Sequence, residues 1–245
     1  MELNIPYHNT NIAVVSNYLL KSRYTLTVAE HRLLKSLIKQ IPNYYDLKLE
    51  AIHSISVQDY ADDWELPKDD ARKELRKAGI ALCSRDIYLP VEQSESFNIT
   101  HWFSEVSYNR KTDILLSMFT STVVANISEL KERFTKLNLV EMKDFDSSYS
   151  FRLYEILLCT IGENSYKNPK FEVEVLMGML DVPESLKDYR NFKARVLTPC
   201  TSELQNKTNK FSKLSLIEHK RKGSKKIIEV EFSGVGIGKK YKNLC

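Results

Sequence analysis

The chain has 245 residues, 42% hydrophobic and 28% charged, with a formal net charge of +4. That balance excludes a disordered or fibrous chain and predicts packed cores, in one large domain or in two of about 120 residues each. The charge is uneven: residues 187 to 245 hold 15 Lys+Arg against 5 Asp+Glu, whereas residues 1 to 186 sum to −6. A basic block on a slightly acidic chain is an electrostatic footprint for a polyanion.

In chain order, the first clear element is LTVAEHRLLKSLIKQI. Thr27 and Glu30 form an S/T-x-x-E capping box, and Leu33, Leu34, Leu37, Ile38 and Ile41 follow at helical spacing before Pro42 blocks continuation. ISVQDYADDWEL predicts a short helix. Pro67 then opens KDDARKELRKAGIALCS, with Asp69 and Asp70 in its first turn, where the helix dipole favours acids. Ala71, Leu75, Ala78 and Leu82 fall on one stripe of it, leaving Lys73, Arg76 and Lys77 on the opposite face. RDIYLP and ITHWFSEVSYNRKTDILLSMF read as strands, the latter a hairpin turning around Asn109, Arg110 and Lys111. SELKERFTKL, in a connector near residues 120 to 145, reads as helical.

The second half repeats this order. SYSFRLYEILLCTIG predicts an amphipathic helix with Leu153, Ile156, Leu157 and Ile161 inward and Gly162 as its stop. FEVEVLMGMLDVP gives a short strand or helix start, then a brief helix ended by Pro183. DYRNFKARVLTPCTSELQN is the third helix, and FSKLSLIEHKRKGSKKIIEVEF a hairpin. Helix, short helix, helix and hairpin, twice at a spacing near 120 residues, is the order of two winged helix-turn-helix units, an α+β fold. The expected boundaries are an N-terminal winged helix over 1–125, a connector over 126–145, a C-terminal winged helix over 146–235 and a basic tail over 236–245.

The third helix of the second half suggests the chemistry. Phe192, Val196, Leu197, Cys200 and Leu204 span one side, and Asn191, Ala194, Arg195, Thr198, Ser202 and Gln205 the other. Asn, Arg and Thr can hydrogen-bond base edges, and small neighbours let a helix sit deep in a major groove. Lys187, Arg190 and Lys193 cluster toward its N-terminal end, where side chains and free backbone N–H groups can meet phosphate. Pro199 is the awkward residue, because a proline inside a helix removes a bond and kinks it. The hairpin tip places Lys220, Arg221, Lys222, Lys225 and Lys226 around one glycine; such a tip repels itself unless a counter-charge lies against it, which fits a wing on a phosphate backbone.

Three segments carry a resemblance. VVSNYLLKSRYTLTVAEHRLL (14–34), SYSFRLYEILL (148–158) and FKARVLTPCTSELQNKT (192–208) resemble, in order and spacing, segments of the plasmid replication initiators that bind directly repeated origin sequences called iterons. The resemblance runs from about Val14 to Phe232. It implies tandem winged helices whose monomers bind double-stranded iteron DNA with both domains, melt an adjacent AT-rich segment, and recruit the host initiator and replicative helicase. It also implies dimers, associating through the N-terminal domain, that bind an inverted repeat at their own promoter and repress it. Carried onto this chain, Arg190, Asn191, Lys193, Ala194 and Arg195 would read one half of the site, and Lys73, Arg76 and Lys77 would contact the other. Family members often carry a basic residue where Ala194 stands, so a contact made there elsewhere is absent or becomes a methyl contact.

Other functions fit less well. A nicking enzyme needs a metal held by a His-x-His pair, yet His8, His31, His53, His101 and His219 never lie within two residues of one another. GVGIGKK (234–240) lacks the first glycine and final Ser/Thr of a Walker A loop and reads as a flexible basic tail. Cys83, Cys159, Cys200 and Cys245 show no C-x-x-C spacing, so reduced, mostly buried thiols are expected rather than a zinc cage. No cofactor or catalytic residue is expected. The start has no secretory pattern and no apolar run nears the roughly 18 residues of a membrane span, so a cytoplasmic protein with no membrane contact is expected. A dedicated winged-helix repressor without a replication role remains the alternative, and a pure protein-interaction module leaves the basic hairpin unexplained.

Overall fold

The computed structural model describes residues 11–41, 47–91, 96–128, 130–163 and 167–235. It divides into two compact units, Met1–Lys143 and Asp144–Cys245. In the first, β1 (Ile12–Ser16) and α1 (Asn17–Leu20) precede α2 (Val28–Ile38), β2 (Ile52–Ser56), α3 (Val57–Trp64) and α4 (Lys68–Leu82). Then come β3 (Asp86–Tyr88), β4 (Ile99–His101), β5 (Phe103–Asn109), β6 (Ile114–Phe119), α5 (Ser121–Val124), β7 (Phe134–Asn138) and α6 (Leu139–Met142).

The capping box forms as the sequence predicts: Thr27 N–H donates to Glu30 Oε2 at 2.9 Å and Glu30 N–H to Thr27 Oγ1 at 3.3 Å. The helix ends at Ile38, earlier than expected, and Pro42 lies outside the described residues. Leu33 and Leu37 of α2, Tyr60 and Trp64 of α3, and Ala71, Leu75, Ala78 and Leu82 of α4 are all buried in the core of this helix trio. Polar groups link α2 to α3. Ser36 Oγ donates to Asp63 at 2.7 Å and accepts from Trp64 Nε1 at 2.9 Å, and Lys39 also pairs with Asp63.

The antiparallel sheet runs β2-β6-β5, with Ile55, Leu115 and Phe119 turned to the core and Ile52, Ser54 and Leu116 outward. The expected strand from Ile99 divides in two, β4 pairing with β3 and β5 forming the hairpin with β6. The connector reading needs correction. In SELKERFTKL the segment from Phe134 is strand β7, antiparallel to β1, with Val14 opposite Lys136 and Ala13 opposite Leu137. Thr135 and Leu137 are buried between less buried neighbours, a two-residue alternation that outweighs the helix propensity of Glu and Lys. The segment therefore belongs to the first unit.

The second unit repeats the plan with α7 (Ser148–Glu163), β8 (Lys170–Glu172), α8 (Val173–Met179), a 3₁₀ turn (Glu184–Leu186) and α9 (Tyr189–Phe192). A π turn (Lys193–Leu197), α10 (Thr198–Lys207), β9 (Ser215–Lys220) and β10 (Ile227–Ser233) complete it. Its sheet order, β8-β10-β9, is that of β2-β6-β5: the strand that follows the long helix α2 or α7 pairs with the last strand of the hairpin. Both units are thus winged helices.

The helix α7 is not amphipathic. Every residue from Ser150 to Cys159 is buried, including Arg152 at 2% exposure and Glu155 at 0%. Arg152 Nη1 bonds Glu155 Oε2 at 2.7 Å and Nη2 donates to the Met179 carbonyl at 3.2 Å, tying α7 to the end of α8. From α10, Glu203 accepts from Asp146 N–H at 2.7 Å and from Ser150 Oγ, so it serves the N-terminal end of α7. Gly234 and Val235, the start of GVGIGKK, pack into the second unit, within its expected limit at residue 235. Val235 is buried, and Gly234 adopts φ 77° against the Lys213 backbone.

Candidate nucleic-acid interface

In the second unit the third helix begins where Asp188 caps it, its Oδ1 accepting from Asn191 N–H at 3.2 Å. The segment expected as one α-helix is three pieces, α9, the π turn and α10. At the turn, Thr198 N–H reaches back to the Lys193 carbonyl, a five-residue step. The cause is Pro199, which has no N–H and whose ring would meet the carbonyl one turn earlier. Arg190, Ala194, Arg195, Thr198 and Ser202 are exposed, Asn191 and Lys193 half-buried. Gln205, expected on the outer face, is half-buried instead, its Nε2 donating to the Leu214 carbonyl. The opposite side, Phe192, Val196, Leu197, Cys200 and Leu204, is core as expected.

The wing is β9, its turn and β10. Lys220, Arg221, Lys222, Lys225 and Lys226 are all exposed, and Gly223 at φ 75° lets the chain reverse, with Arg221 N–H donating to the Lys226 carbonyl at 3.0 Å. Glu218 on β9 joins wing to helix. It accepts from Tyr189 Oη at 2.5 Å and pairs with Lys193 Nζ at 3.0 Å. These partners, the tyrosine first, hold the Glu218 carboxyl below its ordinary pKa, while burial and then the Glu218 bond push the Tyr189 phenol upward. Some of the expected cations are therefore engaged within the unit: Lys193 with Glu218, Lys187 with Glu184 at 2.6 Å, and Lys226 with Glu174 at a looser 3.8 Å.

In the first unit Lys73, Arg76 and Lys77 are exposed on α4, as the spacing predicts, and Arg110 and Lys111 are exposed in the β5–β6 turn. Lys73 pairs with Asp70 at 3.2 Å, and the Arg76 guanidinium lies over the Tyr108 ring, 5.3 Å from its centroid. Helix and hairpin are clamped. Arg72 Nε and Nη2 donate to the two oxygens of Asp113 at 3.0 and 2.7 Å, and Tyr108 Oη adds a third bond at 2.6 Å. The Arg72 bond, then the tyrosine bond, holds the Asp113 carboxyl well below the usual carboxylate range. Gly79 allows α4 to lie this close, since a Cβ there would come within 2.6 Å of Leu115 Cδ1.

Sequence reasoning found the outward cations but missed the groups that hold their helices and hairpins: Arg72, Asp113, Tyr189 and Glu218. Each depends on a partner in another element, and nothing local in the sequence marks that. Within the SYSFRLYEILL segment, Arg152 and Glu155 are buried in the core and bonded to each other. Cys159 and Cys200 are buried thiols, Cys83 is a half-buried one, and Cys245 lies outside the described residues, as do His8 and the expected tail from residue 236. Among the described residues no group of His, Cys, Asp or Glu could hold a metal ion, and no helix is long and apolar enough to cross a membrane.

Comparison with known proteins fits this architecture. A "Replication initiation protein" of Escherichia coli is 25% identical over 212 residues, covering 84% of this chain; the chain spans 64% of that relative's length. The crystal structure of the Pi initiator protein in complex with iteron DNA superimposes with a TM-score of 0.73 at 21% identity, over 91% of this chain and 96% of that one. The family model described as "Initiator Replication protein, WH1" matches residues 12–158 and its companion "Initiator Rep protein, WH2" matches 172–233. With two winged-helix units in that order, the chain belongs to the initiator replication protein family.

Proposed function

We propose that this protein initiates plasmid replication by binding directly repeated double-stranded DNA sites, iterons, with the third helix and wing of each unit. The observation that carries the reading is the second unit's combination of a small, polar, exposed helix stripe with a wing tip of five exposed cations. The first can enter a major groove and the second can neutralise phosphate. The structurally similar Pi initiator was crystallised with iteron DNA, which supports the same ligand class here. The C-terminal unit is the principal reader, through Arg190, Asn191, Arg195 and Thr198, while Lys73, Arg76, Lys77, Arg110 and Lys111 bring the first unit to the other half of the site.

Bound monomers then promote local melting and recruit the host initiator and helicase. Dimers formed through the first unit repress the protein's own gene at an inverted repeat. Exposed Ile52 and Leu116 on the outward face of the β2-β6-β5 sheet are apolar groups that such a dimer would cover.

The test is a salt-titrated gel shift on DNA flanking the gene, competed with scrambled DNA. A ladder of discrete complexes on direct repeats is expected. A single complex on an inverted repeat alone would instead indicate a dedicated repressor, and equal binding to scrambled DNA would overturn sequence reading altogether.

A further inference from the structure

The third helix of the second unit follows an unusual repeat. Among its exposed residues, Arg190, Ala194, Thr198, Ser202 and Asn206 recur every four positions, flanked by exposed Arg195 and Pro199, and the buried Phe192, Val196, Cys200, Leu204 and Thr208 do the same, flanked by Leu197 and Thr201. A straight α-helix advances about 100° per residue, so a four-residue repeat drifts around the axis by about 40° at each step. By Ser202 the drift from Arg190 would reach about 120°, enough to take the second half of the stripe off the surface that the first half presents. The π turn at Lys193–Leu197 fits more residues into one turn and so takes back part of that drift.

What holds the turn wide is Pro199. Its nitrogen has no hydrogen to give to the Ala194 or Arg195 carbonyl, and its ring excludes the close approach that an α-helical turn requires. The ring itself is exposed and fills no core space. Nothing in the packing of this side chain accounts for a proline here, whereas the azimuth of the residues around it does.

We propose that Pro199 is a positioning residue for base reading: by holding the π turn, it aligns Thr198 and Ser202 with Arg190 and Ala194 as one reading stripe. The inference rests on the DNA-reading role proposed above for this helix. It assigns to Ser202, beyond the π turn, a base-pair contact as specific as that of Thr198. With Ala194 contributing only a methyl group, the stripe presents a guanidinium, a methyl and two hydroxyls, a set suited to mixed hydrogen-bond and thymine-methyl contacts.

The experiment uses the full chain in randomised-site selection followed by competition gel shifts, with the substitutions T198A, S202A, P199A, P199S and the double variant P199A/S202A. T198A and S202A should each lower discrimination at a defined base pair about tenfold, within the range for loss of one base contact. P199A and P199S should lower discrimination at those same base pairs while binding to scrambled DNA stays within about twofold, and the double variant should match P199A alone. Unchanged preference in P199A, equal loss on cognate and scrambled DNA, or losses that simply add in the double variant would each overturn the proposal. Should the proline variants not fold, unaltered preference in both T198A and S202A would overturn it independently. A wild-type protein that prefers no site would instead remove the DNA-reading role itself, and this inference with it.

Discussion

Gly234 has room for no side chain. A Cβ there would lie 1.8 Å from the Lys213 carbonyl oxygen, and the residue's φ of 77° already disfavours anything but glycine. Gly234→Ala should therefore destabilise the second unit by about 3 kcal/mol or more, whereas Gly223→Ala at the open wing tip should cost only about 1–2 kcal/mol. Thermal melts of the two variants check the order. His53 makes a different demand. It is buried against the Phe119 ring, and burial lowers its pKa to about 4 from 6.5. The unfolded chain takes up a proton near pH 6.5 and the folded chain only near 4, so this contribution is intact above the unfolded value and is lost as pH falls through that window. Denaturant unfolding should show about 2 kcal/mol of such loss between pH 7 and pH 5, absent in His53→Phe. At the interface, Arg195→Ala should reduce discrimination between cognate and scrambled sites, while Lys222→Ala weakens both about equally. Competition gel shifts separate these roles, and equal effects from both would contradict them.

At the scale of elements, the Glu218 carboxylate both ties α9 to β9 and occupies Lys193. Glu218→Gln should release that lysine toward phosphate. The plot of log affinity against log salt should steepen by about 0.9, and an unchanged slope would show that Lys193 makes no phosphate contact. Elements with local signals were legible: the capping box of α2, Pro67 before α4, and the turn at Asn109, whose Oδ1 accepts from Lys111 N–H at 2.9 Å. The β1–β7 pair was not. Its partners lie more than a hundred residues apart in sequence, and Glu132 and Lys131 before β7 mimic a helix locally. The π turn was visible only as a misfit at Pro199, because its consequence depends on which side of the helix is packed.

For the molecule as a whole, the charge asymmetry and the repeated order of elements already indicated tandem winged helices and a polyanion partner. Contacts between elements were invisible, since they follow from packing rather than spacing. The electrostatic reading makes a direct prediction: with each cation neutralising one phosphate, replacing Lys220, Arg221, Lys222, Lys225 and Lys226 by Ser should flatten the salt dependence of DNA binding by up to about 4.5. A salt series on wild type and variant measures it. The separation of the third helix into a core side and an exposed stripe also bears on how such a protein can change. Arg190, Ala194, Thr198 and Ser202 are exposed, while Phe192, Val196, Leu197, Cys200 and Leu204 hold the core. Substitutions along the outer stripe can accumulate at little expense to stability, so a lineage could drift to a new origin sequence one position at a time, remaining folded at every intermediate step.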